Sequence, residues 1–357
     1  MEKNMKEVRF LPPALRDVPE PDRLGNLPHP REMLSLLGQG AAEAEFLALH
    51  ASGTLHHAFL LTGPEGVGKA TFAYHAARFL LGEGERDERT LDMPSGARAA
   101  TLIANEAHPD LSVLRRRYDA KTKKTREEIS VEDTREALGL FAKTAAFGGW
   151  RVIIVDAADD LNIASANALL KTLEEPPPKA VFFLIAHQPQ KLLPTIRSRC
   201  RRLACVPLGD GDMAALMRAF GGADDAIITR AEGSIRQAMR LKGAGLIGFL
   251  QRLDAALEAL PRCNPAEIDA IAEATRSGAE GAEAFADFLR AIEAWLMRAM
   301  RQRLNAGQGA GMLAPFAEEW ARMMEQAARV EAVNLDRRAF VITSFDRLAG
   351  VVSGAAS

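Results

Sequence analysis

A glycine-rich loop at residues 63–70 constrains the fold of this chain more than any other part of the sequence. The loop reads Gly63-Pro-Glu-Gly-Val-Gly-Lys-Ala70 and follows an apolar run at residues 58–62. When such a loop joins a strand to a helix, its glycines let backbone N–H groups approach phosphate, and its lysine binds the outer phosphates. We therefore predict an α/β fold with a nucleotide-binding-like core. The candidate phosphate-binding residues of the loop are Gly63, Gly66, Gly68 and Lys69.

The final position of this pattern lacks the group that binds Mg²⁺. Ala70 stands where the pattern requires Ser or Thr, and Thr71 follows one position later, rotated by about 100° on an ordinary helix. A second change follows Asp156, which ends a predicted strand and so lies where open parallel sheets bind ligands. The common ATPase pattern has Glu after this Asp, whereas this chain has Ala157. Hydrolysis by this chain is therefore in question, with Thr71 and Asp156 as candidates for a residual site.

Composition places the chain among ordinary globular proteins. Apolar residues make up 48% and charged residues 26% of its 357 residues, which suffices for about two or three domains. The net charge of −2 argues against a protein that coats nucleic acid over its whole surface. We see no secretory signal, and the longest apolar run, residues 180–186, is too short to cross a membrane. Three scattered cysteines are too few for a disulfide framework, and they do not form a four-ligand zinc site. We therefore expect a reduced, cytoplasmic protein without a metal site.

Hydrophobic patterning divides the chain into four segments. Residues 1–29 are rich in proline and have little periodicity, so we expect a poorly ordered arm with a docking segment at most. Residues 30–206 alternate short apolar runs with helical patterns, which is typical of a parallel sheet covered by helices. Residues 207–245 contain short helical pieces, and residues 246–357 are helical with an apolar stripe typical of a bundle. The strand candidates are residues 57–62, 111–114, 151–156 and 180–186.

Two later segments resemble a known family. They read Asn167-Ala-Leu-Leu-Lys-Thr-Leu-Glu-Glu-Pro-Pro177 and Pro189-Gln-Lys-Leu-Leu-Pro-Thr-Ile-Arg-Ser-Arg-Cys200. Together they closely resemble the bacterial clamp-loader branch of the AAA+ ATPases, and the resemblance runs from about residue 30 to residue 243. Members of this family load the ring-shaped sliding clamp onto primed DNA for the replicative polymerase. The resemblance implies a P-loop AAA+ parallel-sheet core, a small helical lid at residues 207–245 and a helical collar at residues 246–357.

The resemblance also implies roles for individual residues. Residues 63–69 correspond to the Walker A loop and Asp156 to the Walker B acid. Arg199 corresponds to an arginine finger that reaches the nucleotide of a neighbouring subunit, and Arg236 to the sensor 2 arginine that touches the γ-phosphate. Many relatives carry a four-cysteine zinc module, but residues 82–108 contain no cysteine, so we expect no zinc.

These expectations describe a structural, non-hydrolysing subunit of the replicative clamp loader. An arginine finger requires no working site in its own subunit, so the changes at Ala70 and Ala157 are compatible with a functional Arg199. The expected partners are the ATP-hydrolysing subunits and the clamp-opening subunit of a hetero-oligomeric ring. The sliding clamp and primed DNA are reached through that complex, and no membrane is involved.

The loop leaves two alternatives open. No cofactor is required for the structural role, but the retained glycines and Lys69 are compatible with ATP or ADP binding. One alternative is a motor subunit of the same loader that uses Thr71 in place of the missing hydroxyl. The other is a nucleotide sensor that binds ATP without hydrolysing it.

A basic segment at residues 115–126 has two interpretations. It contains seven basic residues and one acidic residue. Such a segment can face DNA phosphates, in which case each contact contributes to the salt dependence of binding. It can equally be a solvated loop between two elements, and we favour this second interpretation.

Overall fold

The computed structural model describes residues 7–354 except residues 13–19, 21, 26, 83, 85–86, 95, 148, 244–245, 277, 308–309 and 334. The chain forms two compact units, Met1–Met239 and Arg240–Ser357. The first unit is α/β and the second is helical.

Five strands of the first unit form, within its described residues, a parallel sheet. The strands among the described residues of this unit are β1 (Ala58–Thr62), β2 (Leu111–Arg115), β3 (Tyr118–Asp119), β4 (Lys124–Thr125), β5 (Arg151–Asp156), β6 (Ala180–Ala186) and β7 (Arg201–Ala204), of which β3 and β4 lie outside the sheet. The sheet has the spatial order β2-β5-β6-β1-β7 with every pair parallel, and β3 and β4 form a separate antiparallel pair. This order brings the carboxyl ends of β1 and β5 to one edge of the sheet, where open α/β sheets bind ligands.

Helices cover both faces of the sheet. The helices of residues 40–243 are α1 (Gly40–Ala51), α2 (Lys69–Leu81), α3 (Arg98–Ala104), α4 (Val131–Leu138), α5 (Ile163–Glu174), α6 (Pro194–Ser198), α7 (Asp210–Ala219), α8 (Asp225–Arg230) and α9 (Ile235–Gly243). Of these, α1 and α2 pack on one face of the sheet and α4 and α5 on the other. Alternate residues of β5 enter the two cores: Val152 and Ile154 lie with residues of α1 and α2, and Ile153 and Val155 lie with residues of α4 and α5. Burial on both faces explains why this strand reads as a continuous apolar run.

The predicted fold class, an α/β parallel-sheet core followed by a helical region, is confirmed. All four predicted strands are present to within one residue at one end. The sequence did not predict β7 because only Leu203 is buried in it, while Arg201, Arg202 and Ala204 are exposed. That pattern suits an edge strand but gives no apolar run to detect. The short β3–β4 hairpin, which is polar, was also not predicted.

Part of the N-terminal segment docks onto the first unit. His29 is buried, and its Nε2 lies 2.8 Å from the carboxylate of Asp22. The buried guanidinium of Arg78 in α2 donates hydrogen bonds to the carbonyl oxygens of Arg31 and Met33. Of these residues, Asp22 and His29 belong to the segment 1–29 in which the sequence analysis allowed for docking. The rest of the predicted poorly ordered arm falls largely on residues 1–6, 13–19, 21 and 26, which lie outside the described residues.

The described part of the second unit is built from helices. They are α10 (Leu246–Glu258), α11 (Pro265–Ala274), α12 (Gly278–Asn305), α13 (Ala310–Ala332) and α14 (Arg337–Gly354). Phe285 and Phe288 of α12 contact Phe340 of α14, and Phe345 adds a fourth ring to this aromatic cluster. Among the residues that the structure describes, no helix is both long enough and apolar enough to cross a membrane.

Candidate functional site

The P-loop, residues 63–69, joins the carboxyl end of β1 to the amino end of α2. Gly63 and Gly66 have φ angles of 141° and 79°, in a region that other residues rarely adopt. A Cβ atom on Gly63 would lie 2.1 Å from the carbonyl oxygen of Cys205, so this position also requires a residue without a side chain. Gly68 is the residue that precedes α2. The glycine spacing therefore sets the backbone path of the loop.

Lys69 is turned into the P-loop and is only 3% exposed. Its Nζ donates hydrogen bonds to the carbonyl oxygens of Gly63, at 2.7 Å, and Pro64, at 2.6 Å. Burial lowers the pKa of Lys69, and the negative charge of Asp156 partly offsets that effect. The ammonium group that was expected to bind outer phosphates is therefore bound to the backbone of its own loop.

The start of α9 closes the P-loop from another side. The Ile235 N–H donates to the carbonyl oxygen of Gly66 at 3.0 Å, and the Ser234 hydroxyl donates to the carbonyl oxygen of Glu65 at 2.8 Å. The fit is tight, since a Cβ atom on Gly66 would lie 2.2 Å from Ser234 Oγ. Arg236 Nε lies 3.1 Å from Glu65 Oε1 and completes the contact. We call these contacts between residues 65–66 and 234–236 the loop clasp.

A buried glutamine ties the P-loop to the connection that follows β7. Gln39 Nε2 donates to the carbonyl oxygens of Val67, at 2.9 Å, and Val206, at 2.8 Å, and its Oε1 accepts from the Val206 N–H at 3.0 Å. The sequence analysis missed Gln39. No local pattern identifies it, because its partners are 28 and 167 residues away.

Asp156 ends β5 at the same edge of the sheet as the P-loop. Burial raises the pKa of its carboxyl group to about 7, and the negative charge of Asp22 adds to the rise. The positive charges of Arg115 and Lys69 act in the opposite direction. Asp156 is therefore partly protonated near neutral pH, unlike an ordinary carboxylate.

A second carboxylate, Asp159, holds the turn after β6. Its oxygens accept hydrogen bonds from the N–H groups of His187, at 2.5 Å, and Gln188, at 3.2 Å. The turn brings His187 to the cavity beside the P-loop, where burial and the charge of Lys69 lower the pKa of the imidazole. Asp159 was not among the predicted site residues, although its position three residues after Asp156 was a signal that could have identified it.

A cavity of about 160 Å³ is lined by most of the predicted site residues. Those that line it are Gly66, Gly68, Lys69, Thr71, Asp156 and Arg236. Leu27 and Pro28 of the docked N-terminal segment contribute to an apolar part of the lining. Gly63 takes part through the carbonyl oxygen that binds Lys69, whereas Arg199 does not line this cavity.

With the loop clasp closed, the groups at the cavity that would hold a nucleotide are occupied by the protein itself. Lys69 and Arg236 are both engaged by groups of the P-loop, the first by carbonyl oxygens and the second by Glu65. Ala70 and Ala157 supply neither the hydroxyl that binds Mg²⁺ nor a carboxylate that orients water.

Arg199 lies at the surface, just after the end of α6. Its Nη2 lies 2.8 Å from Glu174 Oε1, and its Nη1 donates to the carbonyl oxygen of Thr195 at 3.0 Å. The side chains of Arg199 and Glu174 are 35% and 51% exposed, so water screens this ion pair strongly. Arg199 is therefore accessible to another molecule and separate from the cavity of its own chain.

The arginines of the basic segment at residues 115–126 are all paired within the chain. Arg115 pairs with Asp22 and Glu106, Arg116 with Asp160, Arg117 with Asp133 and Glu136, and Arg126 with Asp133. Lys121, Lys123 and Lys124 are exposed on the β3–β4 hairpin and its turn. The pairing of these four arginines with acidic residues of the chain favours a structural role for them.

Comparison with known proteins finds relatives among DNA polymerase III subunits. Residues 38–208 match the family model described as DNA polymerase III, delta subunit. DNA polymerase III subunit delta' of Pseudomonas aeruginosa is 36% identical over 201 residues, which cover 53% of this chain and 57% of that protein. DNA polymerase III subunit gamma/tau of Mycobacterium tuberculosis is 28% identical over 341 residues, which cover 88% of this chain and 57% of that protein.

Among solved structures, one that the chain is similar to is a DNA polymerase III gamma subunit-related protein from Thermotoga maritima. It has 16% sequence identity and a TM-score of 0.37 over 83% of this chain and 94% of that one. The chain spans little more than half the length of the two curated relatives described above, 57% of each.

Proposed function

Because residues 38–208 match the family model described as DNA polymerase III, delta subunit, we propose that this chain is a clamp-loader subunit of DNA polymerase III of the delta' kind. In this proposal it assembles with ATP-hydrolysing subunits and a clamp-opening subunit into a hetero-oligomeric ring. The ring loads the sliding clamp onto primed DNA in the cytoplasm. The resemblance of residues 167–177 and 189–200 to clamp loaders supports this assignment independently of the P-loop.

The chain's own role in the complex is structural, without ATP hydrolysis. The observation that carries this step is the closed P-loop, in which the Lys69 ammonium binds the carbonyl oxygens of Gly63 and Pro64. A bound phosphate would have to compete with both hydrogen bonds. The alanines at positions 70 and 157 support the same conclusion. Even if Lys69 were released from the loop, the hydroxyl that binds Mg²⁺ and the carboxylate that orients water would still be missing.

Arg199 is the residue through which the chain acts on its neighbour. It would stabilise the transferring phosphoryl group at an adjoining ATPase subunit, and an arginine in that role contributes about 10³–10⁵ in rate, or about 4–7 kcal/mol of barrier. The exposed pair with Glu174 supports this role, since a surface ion pair contributes about 0–1 kcal/mol and is easily exchanged for a better partner.

The second candidate is a motor subunit of the same loader. Two observations favour it: Thr71 lines the cavity, and the similarity to the gamma/tau relative covers 88% of this chain. In that function the Thr71 hydroxyl would replace the one missing at Ala70, and the loop clasp would open when ATP binds.

Hydrolysis by the purified full-length chain separates the two candidates. We expect no ATP turnover with Mg²⁺ above that of the Lys69→Ala variant, and stimulation of ATPase activity when the chain joins the other subunits. Turnover by the isolated chain that is lost in Lys69→Ala would overturn the structural role and establish the motor function.

A further inference from the structure

The loop clasp contains an anion that belongs to the chain itself. Glu65 lies inside the P-loop sequence, and its carboxylate approaches the guanidinium of Arg236 to 3.1 Å between Oε1 and Nε. Arg236 is the residue that resemblance assigns to contact with a γ-phosphate. We propose that Glu65 is an internal competitor for phosphate: its carboxylate holds Arg236, and a nucleotide or other polyphosphate must displace it to bind.

Two backbone contacts, at Glu65 and at the next residue, hold Glu65 in this position. Its carbonyl oxygen accepts a hydrogen bond from the Ser234 hydroxyl at 2.8 Å, and the next carbonyl, that of Gly66, accepts one from the Ile235 N–H. The backbone of Glu65 is therefore attached to the segment that carries Arg236. Because the backbone at both ends of the ion pair is held, little further conformational entropy is lost when the carboxylate and the guanidinium meet.

Both cations among the described residues that line the cavity already have partners within the protein. The charged and titratable groups among the described residues that line the cavity are Asp22, Glu65, Lys69, Asp156, His187 and Arg236. Arg115 and Asp159 also act electrostatically on Asp156 and His187, respectively. Lys69 is bound to two carbonyl oxygens and Arg236 to Glu65. Burial and Lys69 keep the pKa of His187 low, so the imidazole adds no charge at neutral pH. Glu65 is therefore the carboxylate that occupies Arg236 at this end of the cavity.

The ion pair is weak enough to be displaced but sufficient to oppose binding. The side chains of Glu65 and Arg236 are 56% and 40% exposed, and such a pair contributes little to stability because water screens it. A polyphosphate, however, meets two effects at once: its best cation is occupied, and a like charge lies a few ångströms from its own oxygens. Removing the carboxylate removes both effects. This inference rests on the proposed function, in which the P-loop is closed and does not hydrolyse ATP.

Binding measurements on the purified full-length chain test the proposal. The probes are ATP with Mg²⁺ and inorganic tripolyphosphate, each titrated by calorimetry against the wild-type chain, Glu65→Gln and Glu65→Ala. Gln preserves the shape of the side chain and Ala removes it, so agreement between the two isolates the effect of charge. Glu45→Gln is the matched control, because Glu45 is also half-exposed and paired with an arginine, Arg201, but does not line the cavity.

We expect both Glu65 variants to bind both probes about tenfold more tightly than the wild-type chain. Glu45→Gln leaves the affinities unchanged, and Glu65→Gln combined with Arg236→Gln loses the gain. The proposal is overturned if the affinities of the Glu65 variants match those of the wild-type chain, if no binding is detected for any variant, or if the gain persists without Arg236. Thermal unfolding of each variant verifies that it is folded.

This test is separate from that of the proposed function. It measures binding by the isolated chain, whereas the role of Arg199 is measured as turnover by the assembled complex. A chain in which Glu65 excludes polyphosphate while Arg199 has no effect on the complex would retain the present inference and refute the proposed function.

Discussion

Lys69 donates a hydrogen bond to the carbonyl oxygen of Gly63 over 2.7 Å, from the last residue of the P-loop to its first. A second bond to Pro64, at 2.6 Å, makes the lysine a cross-link within the loop. The loop clasp at residues 65–66 and 234–236 adds contacts from the start of α9. The P-loop of this chain therefore has a structural function that requires no phosphate, which gives Lys69 a stabilising role that can be measured.

Replacing Lys69 with Ala is expected to lower the free energy of unfolding by about 1–3 kcal/mol. The substitution leaves two loop carbonyl oxygens without their charged donor in a buried site. The ATPase activity of the assembled complex should stay within about twofold of the wild-type value, because the proposed function assigns no ATP turnover to the site of this chain. Urea denaturation and a coupled ATPase assay measure the two effects. Lys171→Ala, at an exposed position of α5, is the control for loss of a lysine. A large loss of complex activity with unchanged stability would contradict the structural role.

Replacing Gly66 with Ala is expected to disrupt the loop clasp. The new Cβ would lie 2.2 Å from Ser234 Oγ, on a residue with a φ angle of 79°, so both the contact and the backbone are strained. We expect a loss of about 2–4 kcal/mol in the free energy of unfolding. Hydrogen exchange at the Ile235 N–H should accelerate, because that group donates to Gly66. Gly139→Ala is the matched control, since a Cβ atom there meets nothing within 4 Å. Equal effects of the two substitutions on the free energy of unfolding would show that the loop clasp does not stabilise the fold.

Much of this architecture could be predicted from the sequence, because the parallel strands that are buried on both faces read as apolar runs. The P-loop could also be located, since its glycines follow from backbone geometry at Gly63 and Gly66. The clasp could not, because Ser234 and Glu65 are 169 residues apart and neither belongs to a periodic pattern. The docking of His29 against Asp22 was missed for a related reason: hydrophobic periodicity carries no information about buried polar pairs.

The basic segment at residues 115–126 shows the same limit. Its charge count was correct, but the acidic partners of its arginines lie on distant elements, so composition alone could not distinguish a DNA-binding face from an internal ion-pair network. Asp156 was identified as a site residue from its place at the end of a strand. The shift of its pKa to about 7 depends on burial and on Asp22, which only the folded structure brings close.

The Asp156→Asn substitution tests that shift through the pH dependence of stability. The ordinary pKa is 3.8 and the folded-state pKa is about 7, so between these values the folded chain holds a proton that the unfolded chain releases. Raising the pH through this window therefore favours unfolding, and the contribution of Asp156 to stability is greatest at low pH. Asparagine does not titrate. We expect the stability of Asp156→Asn relative to the wild-type chain to rise by about 1–3 kcal/mol between pH 5 and pH 8. Denaturation curves at both pH values measure it, and a pH-independent difference would show that the pKa is ordinary.

The Arg115→Gln substitution tests whether this arginine is structural. Its guanidinium lies 3.1 Å from Asp22 and 2.7 Å from Glu106, so its loss leaves partly buried carboxylates without a cation. We expect a loss of about 1–3 kcal/mol in the free energy of unfolding and no change in the salt dependence of primed-DNA binding by the complex. Lys121→Gln, which removes an exposed charge, should leave stability within about 0.5 kcal/mol of the wild-type value. A fall of about one in the slope of log affinity against log salt for Arg115→Gln would instead indicate a phosphate contact.

The DNA-stimulated ATPase activity of the assembled clamp loader, measured with Arg199→Ala, tests the central claim most directly. Arg197→Ala is the matched control, because Arg197 is an exposed arginine two positions earlier, in the last turn of α6. The account predicts that Arg199→Ala lowers this activity by about tenfold or more while the complex still assembles, and that Arg197→Ala has little effect. Activity within about twofold of the wild-type value for Arg199→Ala would contradict the account, because this chain would then not complete the active site of its neighbour.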